Sequence, residues 1–240
     1  MNSAFRILHS AFPVPRSPFS FPPVQTRPRI WFCVVALAAL ACGKAQPKPA
    51  PAPGPGIAPP PREPVKPFST VAFAGQSIAV TPLTLVVAVD TLNQVPPFGD
   101  RAATLLWADS MVATLLTERG PDVKWVLPPE LRKIARRAPS VAPDPDRMGQ
   151  SMLRERSVET VPDPLRGKLR SLTALVDGRY VFVPASLTLL PEPSGLVRAE
   201  LWLVLVDSRT GKVVWRTLTW AEGPTISRAF RAALENALRL

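Results

Sequence analysis

Histidine and cysteine are nearly absent from this chain. The one histidine is His9, and the two cysteines, Cys33 and Cys42, fall in or at the end of a single apolar stretch. Beyond Cys42 there is therefore no imidazole to serve as general base in a serine, cysteine or metal hydrolase. There is also no thiol nucleophile, no internal disulfide and no Cys/His set for zinc. Carboxylates are scattered, without a pair suited to glycoside hydrolysis. Asp144-Pro145-Asp146 has half the look of a calcium loop but lacks the glycine and distal glutamate of one, and reads as a solvated turn. The expectation is a protein that is not an enzyme, with no cofactor and no metal.

Proline and positive charge are what the chain has in excess, with 31 prolines and a formal charge of +11. Residues 1–67 hold +7 of that charge, so the remainder is only weakly basic. Its one dense run is Arg132-Lys133-Ile134-Ala135-Arg136-Arg137. Such a run is the solvated face of a short helix or a surface for phosphate or nucleic acid. No Gly-rich phosphate loop or stacking-aromatic module accompanies it, so no nucleic-acid partner is expected. Arg132, Lys133, Arg136 and Arg137 are nevertheless candidate surface-contact residues, together with Trp220.

Ile30 to Ala41 reads IWFCVVALAALA, an uncharged run preceded by Arg27 and Arg29. As a helix it would span about 18 Å, short of the roughly 30 Å hydrocarbon core of a bilayer. A basic flank, a short apolar core and small residues before a break describe a secretory signal over residues 1–41. The break, Ala39-Leu40-Ala41-Cys42-Gly43, resembles the bacterial lipobox, in which a cysteine is diacylated and becomes the new N-terminus. Ala39 departs from the branched residue usual there, and an ordinary signal with a coincidental cysteine is the alternative. Two or three acyl chains would make a stable anchor. Gly43 in place of Asp resembles lipoproteins sorted to the outer membrane. Residues 1–26 are long and Pro-rich for a signal, and one reading makes them an over-extended start of the reading frame.

From Gly43 to Pro67 the sequence carries ten prolines and little apolar bulk. Residues 42–67 are therefore expected to be a lipidated cysteine followed by a disordered tether of polyproline II character. Stretched, it would reach up to roughly 75 Å at about 3.1 Å per residue. A docking strip for a reader of Pro-rich segments is the alternative.

Residues 68–240 carry the patterns of a folded domain. Ile78 to Leu83 is β-branched and apolar, with Pro82 marking a strand end or an edge. Gly99-Asp100 caps a helix from about Arg101 to Glu118, stopped by Gly120-Pro121. A short strand over Val123–Leu127 and a helix over Glu130–Arg137 follow, then helical pieces near Gln150–Arg156 and Pro164–Leu175. Arg179–Leu190, Leu196–Asp207 and Lys212–Trp220 read as three strands, the last two joined by a tight turn with Gly211 at positive φ. Leu201 to Val206 is apolar on both faces and is expected to be central and covered on both sides. Thr225–Leu240 closes the chain as a helix with Ile226, Phe230, Ala233 and Ala237 inward. The fold class is α/β: a single domain of order β-α-β-α-(α)-β-β-β-α, a mixed sheet with a C-terminal antiparallel meander and flanking helices.

Three segments carry a family likeness: Ser77-Ile78-Ala79-Val80-Thr81-Pro82, Val126-Leu127-Pro128-Pro129-Glu130-Leu131, and Leu205-Val206-Asp207-Ser208-Arg209-Thr210-Gly211-Lys212-Val213-Val214-Trp215. They resemble periplasmic lipoprotein domains of the CsgG / LpoB / TolB-N-terminal type over about residues 73–240. The resemblance implies envelope-associated binding or assembly proteins and identifies no partner. Thr84–Phe98 and the loop 138–147 have no counterpart in it.

The leading expectation is thus a lipid-anchored, non-enzymatic envelope protein that faces the periplasm and binds or helps assemble another envelope component. That component is expected to be a protein, with self-association left open. The second reading is a glycan- or ligand-binding lipoprotein, in which Trp and Arg residues read a wall component. Trp202 lies in an apolar strand and reads as core, while Trp215 and Trp220 fall on opposite faces, so at most one of those two is exposed for that role.

Overall fold

The computed structural model describes residues 64–89, 92 and 98–238. The signal segment, the lipobox residues Ala39, Leu40 and Ala41, Cys42 and the tether as far as residue 63 lie outside the described residues. The strands are β1 (Ser77–Val80), β2 (Val86–Ala88), β3 (Lys124–Val126), β4 (Tyr180–Pro191), β5 (Val197–Asp207) and β6 (Val213–Gly223). The helices are α1 (Arg101–Arg119), α2 (Pro128–Arg137), α3 (Leu165–Leu175) and α4 (Ile226–Ala237). One six-stranded sheet runs β3-β1-β4-β5-β6, with β2 paired to β4 beyond β1. β1 is parallel to β3 and β4, β2 is parallel to β4, and β4-β5-β6 form the antiparallel meander. The α/β class and the meander are as the sequence pattern requires.

Local chemistry sets the element ends. The Asp100 carboxylate accepts from the Ala102 N–H and starts α1, and Gly120 ends it. Pro128 and Pro129 occupy the first turn of α2, where no intrahelical N–H is needed, so α2 begins two residues before expected. Thr225 caps α4 through the Arg228 N–H. In the turn after β5, the Asp207 carboxylate accepts from the N–H groups of Arg209 and Thr210 and from the Arg179 guanidinium. Burial raises the pKa of this carboxyl, but those donors outweigh it and leave the group below its ordinary range. Gly211 closes the turn at φ 76°.

Two expectations are corrected here. The first strand stops at Val80, three residues short of Leu83, because Pro82 has no N–H to give the sheet and the Leu83 N–H turns to the Asp109 carboxylate at 2.8 Å. The chain then rejoins β4 as β2, an element the sequence pattern did not disclose. Gln150–Arg154 is a 3-10 turn and not an α-helix, entered through Gly149 at φ 81°.

The sheet is dressed unequally on its two faces. On one face α1 and α4 pack along the meander, with Val112, Leu115, Leu116, Phe230, Ala233 and Leu234 against Leu187, Leu189, Ala199, Leu201, Leu203 and Leu205. Phe68 plugs this layer beside Phe73, Phe182 and Trp215. The segment before it is tied in by Lys66, whose N–H donates to Thr217 Oγ1 and whose carbonyl accepts from Trp215 Nε1. Lys66, assigned to the tether on composition, is thus already bonded to β6. On the other face α2, α3 and the turns around Met148 and Leu153 cover Ala79, Val181, Val183, Ala185, Val204 and Val206. Among the described residues, that cover reaches only half the length of the meander.

Candidate functional site

The limit of the cover is written in the burial of β5. From Val197 to Leu203 burial alternates, and from Leu203 to Asp207 every residue is buried. Leu201–Val206 is therefore central, as expected, but it is covered on both sides only from Leu203 onward; Trp202 is half-buried. β6 alternates in the same way from Thr217 to Gly223. A bulge in β4 between Pro184 and Ser186 marks the same level. Arg216 stands at the boundary, its guanidinium donating to the carbonyls of Arg156 and Val158.

Strand register assembles the uncovered half into three rows. Ser186, Trp202 and Leu218 lie side by side across β4, β5 and β6. The next row is Val87, Thr188, Glu200 and Trp220 across β2, β4, β5 and β6. The third is Leu190, Arg198 and Glu222. Val87 in β2 and Val89 just beyond it are 45 % and 41 % exposed. The Arg156 guanidinium lies 5.7 Å from the Trp202 ring centre, a cation–π contact that holds the indole in place. Arg198 is clasped by Glu192 at 2.9 Å and Glu200 at 3.2 Å. By strand, the face carries Val87 on β2, Ser186, Thr188 and Leu190 on β4, Trp202, Glu200 and Arg198 on β5, and Leu218, Trp220 and Glu222 on β6. Trp202 and Trp220 share this face, and Trp215 packs on the opposite one against Phe68 and Phe182. Sequence reasoning set Trp215 and Trp220 on opposite faces and read Trp202 as core; Trp202 is half-buried and packs against the cluster that includes Val204, Val206 and Leu153.

The basic run on α2 divides in two. Lys133, Arg136 and Arg137 are exposed. Arg132 turns inward, its side chain only 15 % exposed, and bridges Asp109 of α1 at 2.6 Å and Asp146 at 2.7 Å. Its Nε also donates to both Asp146 oxygens. Asp109 completes its own set by accepting from Leu83 N–H. Burial pushes the Asp109 carboxyl above its ordinary range, more than the Leu83 N–H and the Arg132 guanidinium pull it down. Gln150, fully buried, donates to the Pro82 carbonyl at 2.7 Å. These groups lock the break between β1 and β2 to α1 and α2. Beside them a cleft of about 400 Å³ lies between Arg136 and the Pro139–Asp146 loop. Asp144 caps the short 3-10 turn Pro145–Arg147, and Asp146 is engaged with Arg132, so both aspartates of the half calcium loop serve the fold. Among the described residues no group of three or more His, Cys, Asp or Glu side chains is placed to hold a metal ion, and no helix is long and apolar enough to cross a membrane.

No protein-family model and no curated protein matches the chain. Similar solved structures include the C-terminal domain of LpoB from Salmonella enterica, at 16 % identity and a TM-score of 0.34, covering 62 % of this chain and 83 % of that one. The PelC dodecamer from Paraburkholderia phytofirmans is similar at 15 % identity and a TM-score of 0.35, covering 73 % of this chain and 95 % of that one. A lipoprotein from Neisseria meningitidis is similar at 16 % identity and 0.35, covering 62 % and 83 %.

Proposed function

We propose that this is a lipid-anchored, non-enzymatic envelope protein that faces the periplasm and binds another envelope component through the uncovered half of its sheet. In this reading residues 1–41 are removed, acylated Cys42 enters the membrane, most simply the outer one, and residues 43–63 carry the domain away from the bilayer. The observation that carries the binding role is that, among the described residues, no helix lies over this half of the sheet face. An antiparallel sheet that faces water on one side normally shows polar residues there. Here one half-face keeps Val87, Leu190, Trp202, Leu218 and Trp220 only partly covered, while α4 and α1 bury its reverse side fully. Surfaces of that kind mark interaction sites. The sequence supports the non-enzymatic reading from the other direction, since residues 43–240 hold neither histidine nor cysteine.

Mass spectrometry of the mature N-terminal peptide from membrane fractions tests the anchor. The expected product begins at Cys42 with a diacylglyceryl group, and Cys42→Ser is expected to leave the protein unlipidated and out of the membrane. A membrane-free chain with an unmodified Cys42 would refute the proposal.

A further inference from the structure

We infer that the layer formed by α2, α3 and the loop beside them is a docking surface for an anionic lipid bilayer. This rests on the reading of Cys42 as a lipid anchor and adds where the tethered domain comes to rest.

Charge distribution comes first. Residues 68–240 carry 21 basic and 17 acidic side chains, a surplus of +4. The segment 128–176, which supplies this layer, holds ten basic and six acidic residues, and the remainder holds eleven of each. The whole surplus of the domain therefore lies in the segment that dresses one side of the sheet. Arg132, Arg147 and Arg154 in it are taken by carboxylates. Lys133, Arg136, Arg137 and Arg170 are exposed and, among the described residues, make no ion pair. On α2, Lys133, Arg136 and Arg137 follow the i, i+3, i+4 spacing and share one face.

An apolar group stands among these charges. Residues 139–143 border Arg136 of α2 on one side and Gly167, Lys168 and Ser171 of α3 on the other. Val141 in this loop is 62 % exposed. Basic side chains are drawn to anionic headgroups, and an aliphatic group beside them gains by passing below the headgroup level.

Composition and reach favour a bilayer as the occupant. The segment 128–176 contains no Phe, Trp or Tyr. Protein interfaces are centred on aromatic anchors, and single-stranded nucleic acids need rings on which bases stack. A bilayer needs neither. Its attraction is set by the number of Lys and Arg side chains near the surface, each worth about fivefold in the docking equilibrium. Stretched, residues 43–63 would span about 65 Å, against a diameter of about 40 Å for a domain of this size. Lys44, Lys48, Arg62 and Lys66, with Glu63 the one acid in 43–67, add to the same attraction. The half-face without a helix lies on the same side of the sheet, a helix diameter of about 10 Å farther from the headgroups. It stays open to a partner at the membrane.

The test uses the mature lipidated protein in nanodiscs, either of phosphatidylcholine alone or of phosphatidylcholine and phosphatidylglycerol in equal parts. Cys42 is acylated in this reading, so a fluorophore on Val141→Cys is the sole thiol label, and nitroxide headgroups quench it on contact. A label on Thr114→Cys, exposed on α1 across the sheet, is the control. Position 141 should be quenched in the anionic discs only. It should be released when salt rises from about 0.1 M to about 1 M, which shortens the screening length from about 10 Å to about 3 Å. Lys133→Ala with Arg136→Ala and Arg170→Ala should lower the docked-to-free ratio on the order of 100-fold. The charge-keeping set Lys133→Arg, Arg136→Lys and Arg170→Lys should stay within about threefold of wild type. Position 114 should stay unquenched throughout. Protein that enters both discs with position 141 equally quenched in the two, or free in both, overturns the bilayer inference and leaves the anchor standing. So does a photo-cross-linker at Arg136 that captures a protein in cells while position 141 stays free in anionic discs. Protein that enters neither disc removes the anchor and this inference together.

Discussion

Asp109 offers the sharpest test of how the fold is held, because two replacements of similar size should behave differently. Its carboxylate sits in the middle of α1 with 5 % of the side chain exposed, accepting from Leu83 N–H and from Arg132. Asp109→Leu removes both acceptors. It leaves a buried backbone N–H and one face of a half-buried guanidinium unpaired, and should cost about 3–5 kcal/mol. Asp109→Asn keeps an acceptor for Leu83 and lets Arg132 lean on Asp146, which already takes three bonds from it. Because burial outweighs the partners of Asp109, the ionised form is itself a burden on the folded state. The Asn variant should therefore unfold within about 1 kcal/mol of wild type at pH 7. The pH dependence carries a definite sign. With the folded-state pKa raised, the protonated group contributes stability that is fully present below the ordinary value near 3.8 and is lost as pH rises through the raised value. Wild type should thus gain on the Asn variant as pH falls from 7 toward 4. Urea denaturation of both variants across that range measures it. An Asn variant as damaged as the Leu variant at pH 7, or a gap that widens as pH rises, would refute the reasoning.

Other substitutions follow from single contacts. Phe68→Ala empties a buried ring site among Phe73, Phe182 and Trp215, and thermal or urea unfolding should register a loss of about 3–5 kcal/mol. Gly223→Ala would set a methyl carbon 2.7 Å from the Ala229 backbone nitrogen, so the start of α4 must move; a loss of about 1–3 kcal/mol by the same assay is expected. Arg136→Ala and Arg137→Ala, at exposed positions on α2, should leave stability within about 0.5 kcal/mol.

What could be seen from the sequence was whatever local chemistry decides. α4 showed itself through Ile226, Phe230, Ala233 and Ala237 on one stripe, all four buried in the structure. α1 showed itself through the Asp100 cap and Gly120, and the last hairpin through Asp207 and Gly211. β2 was hidden because the interruption before it depends on Asp109 and Gln150, residues 26 and 68 positions away from their backbone partners. The division of Arg132 from Lys133, Arg136 and Arg137 was hidden for the same reason, since it requires Asp109 and Asp146 to arrive from elsewhere in the chain. The half-covered sheet face is the least local feature. Its rows join β2, β4, β5 and β6 by register, which no single segment of the sequence records, although β5 itself passes from alternating Val197–Leu201 to continuously apolar Leu203–Val206 where the cover begins.

A benzophenone side chain placed in living cells at Leu218, at Glu200, and at Val71 and Arg137 as distant exposed controls tests the binding face most directly. Positions 218 and 200 should give a discrete adduct to an envelope component that survives boiling in detergent, while positions 71 and 137 give none. Adducts from the control positions alone, or none from 218 and 200 with the protein folded and in the membrane fraction, would contradict a binding role for this half of the sheet.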